Sequence, residues 1–320
     1  MNEDHLAGLK LTESNVNTKR KLIYIMAPAR SGSTLLTYLL SNVNGIATVG
    51  ELKATEMGDV EKYQCSCGQL ITECKFWSSL TERLQKKDID FSVHRPGTHF
   101  TDSVFMSRKL LRAAVRGWSS ERLRDLALGL YPRAKMVLKS VLKRNFEVID
   151  EICKMQNCDI FLDDSKSPSR LKYFCKSGLW DVFIISLTRD GRGVVTSYMK
   201  TTEYTVEKAV SEWLHICNEI EFAKKELSSE KLLHVSYEDI CRDATKELKA
   251  ICDFVGLPTL SMNSNTVLDR SDKHIIGNQM RLQKVEGIKL DERWKEVLVG
   301  ENLAYFEQTA AQMNNQLGYM

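Results

Sequence analysis

The amino-acid sequence predicts an α/β fold, a mainly parallel β-sheet flanked by helices. Short apolar runs rich in β-branched and aromatic residues recur along the chain, with helical patterns between them. Two of these runs pass directly into loops of Arg, Gly, Ser and Thr that open helices. Strands that alternate with helices imply a sheet covered on both faces, with ligands held at the carboxyl ends of the strands.

The first run, "KLIYIMA" (21–27), reads as a buried strand. After the loop "PARSGST", Leu35, Leu36, Leu39 and Leu40 recur at helical spacing, and Gly45 follows the helix end. "IATVG" (46–50) is the next strand. Residues 61–157 read as mostly helical, with Val137, Leu138, Val141, Leu142, Phe146, Ile149, Ile152 and Cys153 on one face. Strand patterns return at 158–164, 181–190 and 231–240. "TKELKAICDFVGLP" is a helix with Leu248, Ile251, Cys252 and Val255 inward and a Gly256–Pro258 stop.

A chain of 320 residues can bury a sizeable core. A net charge of +3 does not support nucleic-acid binding, and no apolar stretch approaches the ~20 residues of a membrane span. Residues 1–20 are polar, without the basic start and apolar centre of a signal peptide. The expectation is a disordered tail over 1–20, one domain over 21–320 and a cytoplasmic protein. Most of the nine cysteines sit singly in apolar patterns, as reduced core thiols do. Cys65, Cys67 and Cys74 lie close together, but their spacing matches no standard zinc motif. A local staple or packing knot is expected there; metal binding would need a fourth ligand from elsewhere.

The first loop offers an anion cradle. Gly32 permits the turn, while Ser31, Ser33 and Thr34 add hydroxyls and Arg30 a fixed charge beside a helix N-terminus. A helix-capping turn would use the same residue types. It is not a Walker A loop, since Ala27 and Ser33 replace the first glycine and the lysine. A second strand–loop–helix, "ISLTRDGRGVVTSYMKT", places Arg189 at the strand end and Ser197 two turns into the helix, with Arg192 between. An arginine fork and a hydroxyl suit a second phosphate; a structural ion pair is the alternative for the R-D-x-R element.

Together these loops resemble the sulfotransferase family that uses 3′-phosphoadenosine 5′-phosphosulfate (PAPS). "PARSGSTLL" is similar to the family's 5′-phosphosulfate loop in its arginine-containing form, as in tyrosylprotein, carbohydrate and many bacterial sulfotransferases. "RDGRGVVTS" resembles the 3′-phosphate motif, implying Arg189 and Ser197. "HVSYEDI" with "FVGLP" resembles the segment that brings a tyrosine near the adenine, implying Tyr237. "HIIGNQMR" resembles the late loop over the cofactor, implying Gly277, Asn278 and Arg281. The likeness runs from about Lys21 to Trp294 and is weakest between Glu61 and Asn157. It implies a P-loop NTPase-like sulfotransferase fold with a helical acceptor-side insertion, and donor contacts from Arg30, Ser31, Gly32, Ser33, Thr34 and Leu35.

The implied reaction moves a sulfuryl group from PAPS to an acceptor hydroxyl and releases adenosine 3′,5′-bisphosphate, with no metal required. Arg30 would stabilise the transferring group. Glu51, in "ATVGEL", matches a "GE" element that carries the catalytic glutamate in tyrosylprotein sulfotransferases, and is the candidate base. Lys166, in "LDDSKSPSRL", resembles the family lysine near the departing phosphate. Asp163 and Asp164 are an alternative base or serve to orient Lys166, while Ser165 and Arg170 assist cofactor or acceptor. His274 is a possible cofactor contact; His94, His99 and His215 have ordinary surface or packing readings. Cations at 107–144 interleave with Trp118 and Tyr131 and suit an anionic glycan or lipid, though such a run is more often a solvated helix face. Sugar, lipid, phenol and peptide hydroxyls stay open. The competing readings are a P-loop kinase or nucleotide hydrolase and a non-catalytic bisphosphate-binding scaffold.

Overall fold

Five strands form one sheet in the computed structural model, which describes residues 19–52, 60–93, 96–100, 132–257, 273–282 and 287–320. They are β1 (Arg20–Met26), β2 (Ile46–Thr48), β3 (Ile160–Lys166), β4 (Trp180–Thr188) and β5 (Leu232–Ser236), in the order β2-β3-β1-β4-β5. β2 pairs with β3 and β4 with β5 in parallel, Ile46 opposite Ile160 and Ile184 opposite Leu232. Strands covered on both faces cannot alternate polar and apolar residues. β1 accordingly buries its last five residues, and β3 its first six.

The helices are α1 (Ser33–Ser41), α2 (Lys75–Gln85), α3 (Pro132–Met155), α4 (Pro168–Ser177) and α5 (Gly191–Thr202), then α6 (Val206–Glu226), α7 (Tyr237–Arg242), α8 (Ala244–Val255), α9 (Trp294–Val297) and α10 (Gly300–Gln316). All five expected strands form. The run at 231–240 divides, because the Ser236 hydroxyl accepts the Asp239 N–H at 3.0 Å and starts α7 where the pattern read as continued strand. α8 ends as its sequence implies, with Gly256 left-handed at φ 74°. Among the described residues no helix is long and apolar enough to cross a membrane. The tail residues 1–18, His94, residues 107–131 of the basic segment with Trp118, Arg122, Arg124 and Tyr131, and Pro258 lie outside the described residues.

Contacts divide the chain into two compact units. One comprises Met1–Tyr24, Leu40–Phe183 and Asp269–Lys284, and we call it the β3 unit. The β5 unit comprises Ile25–Leu39, Ile184–Leu268 and Val285–Met320. In the β3 unit, α3 buries Leu138, Val141, Leu142, Ile149, Ile152 and Cys153, the face its periodicity predicts. A buried polar knot anchors α4 in the same unit. Arg170 donates to Asp163 at 3.0 Å, Asn145 at 2.6 Å and the Thr98 carbonyl at 2.8 Å, and its guanidinium lies over Phe174. In the β5 unit, Val194 and Val195 of α5 pack with Val210 and Trp213 of α6 and Phe306 and Ala310 of α10. Gly191 is required there, since a Cβ would stand 2.5 Å from the Trp213 ring.

Candidate active site

In the β5 unit the loop after β1 turns through two left-handed residues, Arg30 at φ 70° and Gly32 at φ 84°. A non-glycine residue in that region marks a backbone held against its preference, as recurs at functional sites. The turn delivers the chain into α1, whose first backbone bond here runs from the Leu36 N–H to the Gly32 carbonyl at 3.1 Å. The amides of Ser33, Thr34 and Leu35 fall in the first turn, where a helix has no partners of its own to offer. The Ser31 hydroxyl is buried and has no hydrogen-bond partner among the described residues. An orphaned hydroxyl beside free helix amides is chemically fitted to an oxyanion.

Two further expected residues, Arg189 and Tyr237, meet this loop. Arg189, 7% exposed at the end of β4, donates from Nη1 to the Arg30 carbonyl at 3.0 Å. Its guanidinium lies 4.5 Å from the centre of the Tyr237 ring. That ring covers Gly32 so closely that a Cβ there would meet Tyr237 Cδ2 at 2.3 Å. Gly193 is tightly covered as well, since a Cβ there would stand 3.0 Å from Arg189 Nε. Arg30, Gly32, Arg189 and Tyr237 therefore converge. Burial pushes the Tyr237 phenol above its ordinary value, so it remains a neutral surface and donor.

Asp291 completes the arrangement and was not signalled by the sequence. Arg189 Nη2 donates to its carbonyl at 3.1 Å and its carboxylate at 3.2 Å. A hydrogen bond from Arg293, with Arg189 close by, holds the Asp291 carboxyl well below the usual carboxylate range. Ser197 lies half-buried in the second turn of α5. Arg192 takes the structural role, bonded to Asp190 at 2.7 Å and lying 4.2 Å from the Trp294 ring centre. Arg189, Gly193, Asp291 and Trp294 line a cavity of about 610 Å³.

The β3 unit carries the second group. Glu51 and Lys166 form an ion pair at 2.7 Å, with side-chain exposures of 17% and 11%. Lys166 also reaches Asp164, at 3.3 Å to its carboxylate and 3.0 Å to its carbonyl. Like Arg30, Lys166 is a non-glycine residue in the left-handed region, at φ 64°. Burial alone would lower its pKa, but the Asp164 and Glu51 carboxylates outweigh that and raise it, so the ammonium stays charged. Asp164 thus orients Lys166. Asp163 is fully buried and bound to Arg170 and to the Ser165 N–H, which commits both Asp163 and Arg170 to the α4 anchor.

The late loop closes on Glu51 in the same unit. The Glu51 N–H donates to the Ile276 carbonyl at 3.2 Å, and the Ile276 N–H to Val49 at 2.8 Å. Gly277 follows at φ 121°, and a Cβ there would stand 2.8 Å from the Glu51 side chain. The Gly277 N–H donates to the Tyr63 hydroxyl at 2.8 Å. Asn278 accepts the Met280 N–H at 3.0 Å. Arg281 is buried over the Tyr63 ring and donates to the carbonyls of Gln64 at 2.9 Å and Gly277 at 2.7 Å. His274 lies with its Nδ1 3.3 Å from Cys74 Sγ. Cys65, Cys67 and Cys74 are free thiols.

Comparison with known proteins gives a family and a fold. A sequence model of the sulfotransferase family matches residues 23–261. Among solved structures, the sulfotransferase domain of the olefin synthase of Synechococcus PCC 7002 is 18% identical with a TM-score of 0.55, over 97% of this chain and 99% of that one. The sulfotransferase domain from the curacin biosynthetic pathway is 16% identical with a TM-score of 0.53, over 94% and 98%. At such identities the likeness is one of fold. No curated protein matches significantly in sequence.

Proposed function

The chain belongs to the sulfotransferase family, and on that premise we propose that it transfers a sulfuryl group from PAPS to an acceptor hydroxyl, releasing adenosine 3′,5′-bisphosphate. One observation carries the choice of donor. Arg30 and Gly32 of the first loop, Arg189 and Tyr237 come from three distant stretches of sequence yet meet in one unit, through a 3.0 Å bond, a 4.5 Å cation–π contact and a glycine with no room for a Cβ. The resemblance pairs these residues with the 5′-phosphosulfate, the 3′-phosphate and the adenine of a single nucleotide.

In this reading the helix amides of Ser33, Thr34 and Leu35, the Ser31 hydroxyl and Arg30 hold the phosphosulfate end. Fixed donors of this kind need no reorganisation as charge shifts during transfer, which is where preorganised sites gain most. Arg189 and Ser197 hold the 3′-phosphate, and Tyr237 packs by the adenine. Gly277, Asn278 and Arg281 form the late loop over the donor. Glu51 accepts the proton of the acceptor hydroxyl. Protonation removes one of the two carboxylate charges that Lys166 faces, leaving Asp164 to hold the ammonium in place while it turns to the departing phosphate oxygen. No metal ion is assigned a step. The acceptor is proposed as a carbohydrate, lipid or small metabolite, with residues 61–157 shaping its pocket.

Thermal stabilisation against a nucleotide panel tests the donor, because a ligand of the native state raises the melting temperature by mass action. Adenosine 3′,5′-bisphosphate should stabilise the protein and ATP should not. Magnesium-dependent ATP turnover without a bisphosphate response would replace this reading with a kinase or hydrolase. Bisphosphate binding with no transfer from labelled PAPS to any acceptor in a broad screen would leave a binding scaffold.

A further inference from the structure

We propose that Cys65, Cys67, Cys74 and His274 form a structural zinc site. The four ligand atoms all lie within 4.8 Å of one another. Cys67 Sγ is 3.7 Å from Cys74 Sγ, and His274 Nδ1 is 3.8 Å from Cys65 Sγ and 3.3 Å from Cys74 Sγ. Bonds of about 2.3 Å to sulfur and about 2.0 Å to nitrogen set the edges of a tetrahedral zinc centre at roughly 3.3–3.8 Å. These three separations fall in that range, and the one between sulfurs is too long for a sulfur–sulfur bond of about 2.05 Å. Three thiolates and one imidazole select zinc over harder cations. With four protein ligands the centre is closed, which marks it as structural.

The surrounding backbone presents these ligands. Cys65 to Gly68 make a tight turn, with the Gly68 N–H on the Cys65 carbonyl at 2.9 Å and Gly68 itself left-handed at φ 88°. Cys74 immediately precedes α2, and its side chain makes no capping bond to that helix. Phe76 stacks on His274 with centroids 4.5 Å apart and planes 8° from parallel, which fixes the imidazole plane. Ser66 fixes the segment that carries His274 on both sides, donating to the Lys273 carbonyl at 2.7 Å and accepting the Ile275 N–H at 2.8 Å. Buried thiols packed this way without a metal would leave weak donors facing weak acceptors. One ion satisfies all four groups. It also staples residues 65–74 to the segment that carries Ile276, the backbone partner of Glu51.

The site stands independently of the proposed donor, and its test reads metal content. The full chain, purified under reducing conditions without chelator, should hold about one zinc per chain by mass spectrometry of the metal. Cys74→Ser and His274→Ala should each lose at least about nine-tenths of it. If those variants fold poorly, chelator-stripped wild type refilled with cobalt(II) gives a second readout, the intense visible and thiolate charge-transfer bands of a tetrahedral thiolate centre. Stripping should also speed hydrogen exchange at the Glu51 and Ile276 amides. Wild type without zinc whose cobalt form shows only the octahedral ion overturns the proposal. So does a Cys67–Cys74 disulfide in the alkylated, unreduced protein, or full zinc retention by both variants.

Discussion

Lys166 and Glu51 form a 2.7 Å ion pair that is mostly shielded from water, the lysine in a left-handed backbone conformation that points its ammonium at two carboxylates. Removing one member of such a pair leaves the other charge buried without its partner, at a cost of roughly 3–5 kcal/mol where burial is complete. Lys166→Met should therefore lower the melting temperature. Glu51→Gln keeps the shape and a hydrogen-bond acceptor, and should cost less stability. The same Glu51→Gln should reduce sulfuryl transfer by about 100-fold or more, the usual range for loss of a general base, while bisphosphate affinity stays within a few-fold. Transfer at the wild-type rate would exclude Glu51 as the base.

Arg189 joins the first loop, Tyr237 and Asp291. Arg189→Ala should weaken adenosine 3′,5′-bisphosphate binding by about 2–3 kcal/mol, the range for a lost charge-assisted hydrogen bond. That corresponds to roughly 30- to 150-fold in Kd by calorimetry. Arg189→Lys should recover little, because an ammonium cannot bond in a fork while lying flat on a ring. Full recovery by lysine would reduce the role of Arg189 to its charge.

Gly32 tests the packing of the loop. Its φ of 84° and the 2.3 Å approach of Tyr237 give Gly32→Ala both a backbone and a steric penalty. Gly287, at φ 80° with nothing within 4 Å of a built Cβ, gives Gly287→Ala only the first. The Gly32 variant should lose more melting temperature than the Gly287 variant and should also lose bisphosphate affinity. Equal losses in the two variants would mean that Tyr237 yields freely.

Asp291 supplies a pH dependence. Its carboxyl titrates below the ordinary range in the folded protein because Arg293 and Arg189 favour the charged form. The stability it confers is complete above the unfolded value of about 4 and is lost as pH falls toward the folded value. Asp291→Asn carries no titrating group there. Between about pH 6 and about pH 3 the wild type should lose more melting temperature than the variant. Parallel curves would show that Asp291 contributes nothing to the acid limb.

The fold was legible because its signals are local. Parallel strands buried on both faces read as unbroken apolar runs, and the α3 face repeats at helical period, so five strands and the main helices follow from sequence windows of about ten residues. The two loops were legible for the same reason, since Arg30, Gly32 and Arg189 follow strand ends where the backbone must turn. The division of 231–240 into β5 and α7 was missed because a serine cap outcompetes strand extension only where the following residues can take up the helix.

By itself the sequence determined the strand and helix order, the two loop motifs and the family. The tertiary structure alone decided which groups meet: Asp291 on Arg189, Asp163 on Arg170, Lys166 on Glu51, and His274 beside Cys74 from 200 positions away. Periodicity encodes which face of an element is buried. It carries no record of which distant polar groups will share that buried space, and those pairings are fixed only when packing excludes the water that would otherwise satisfy them.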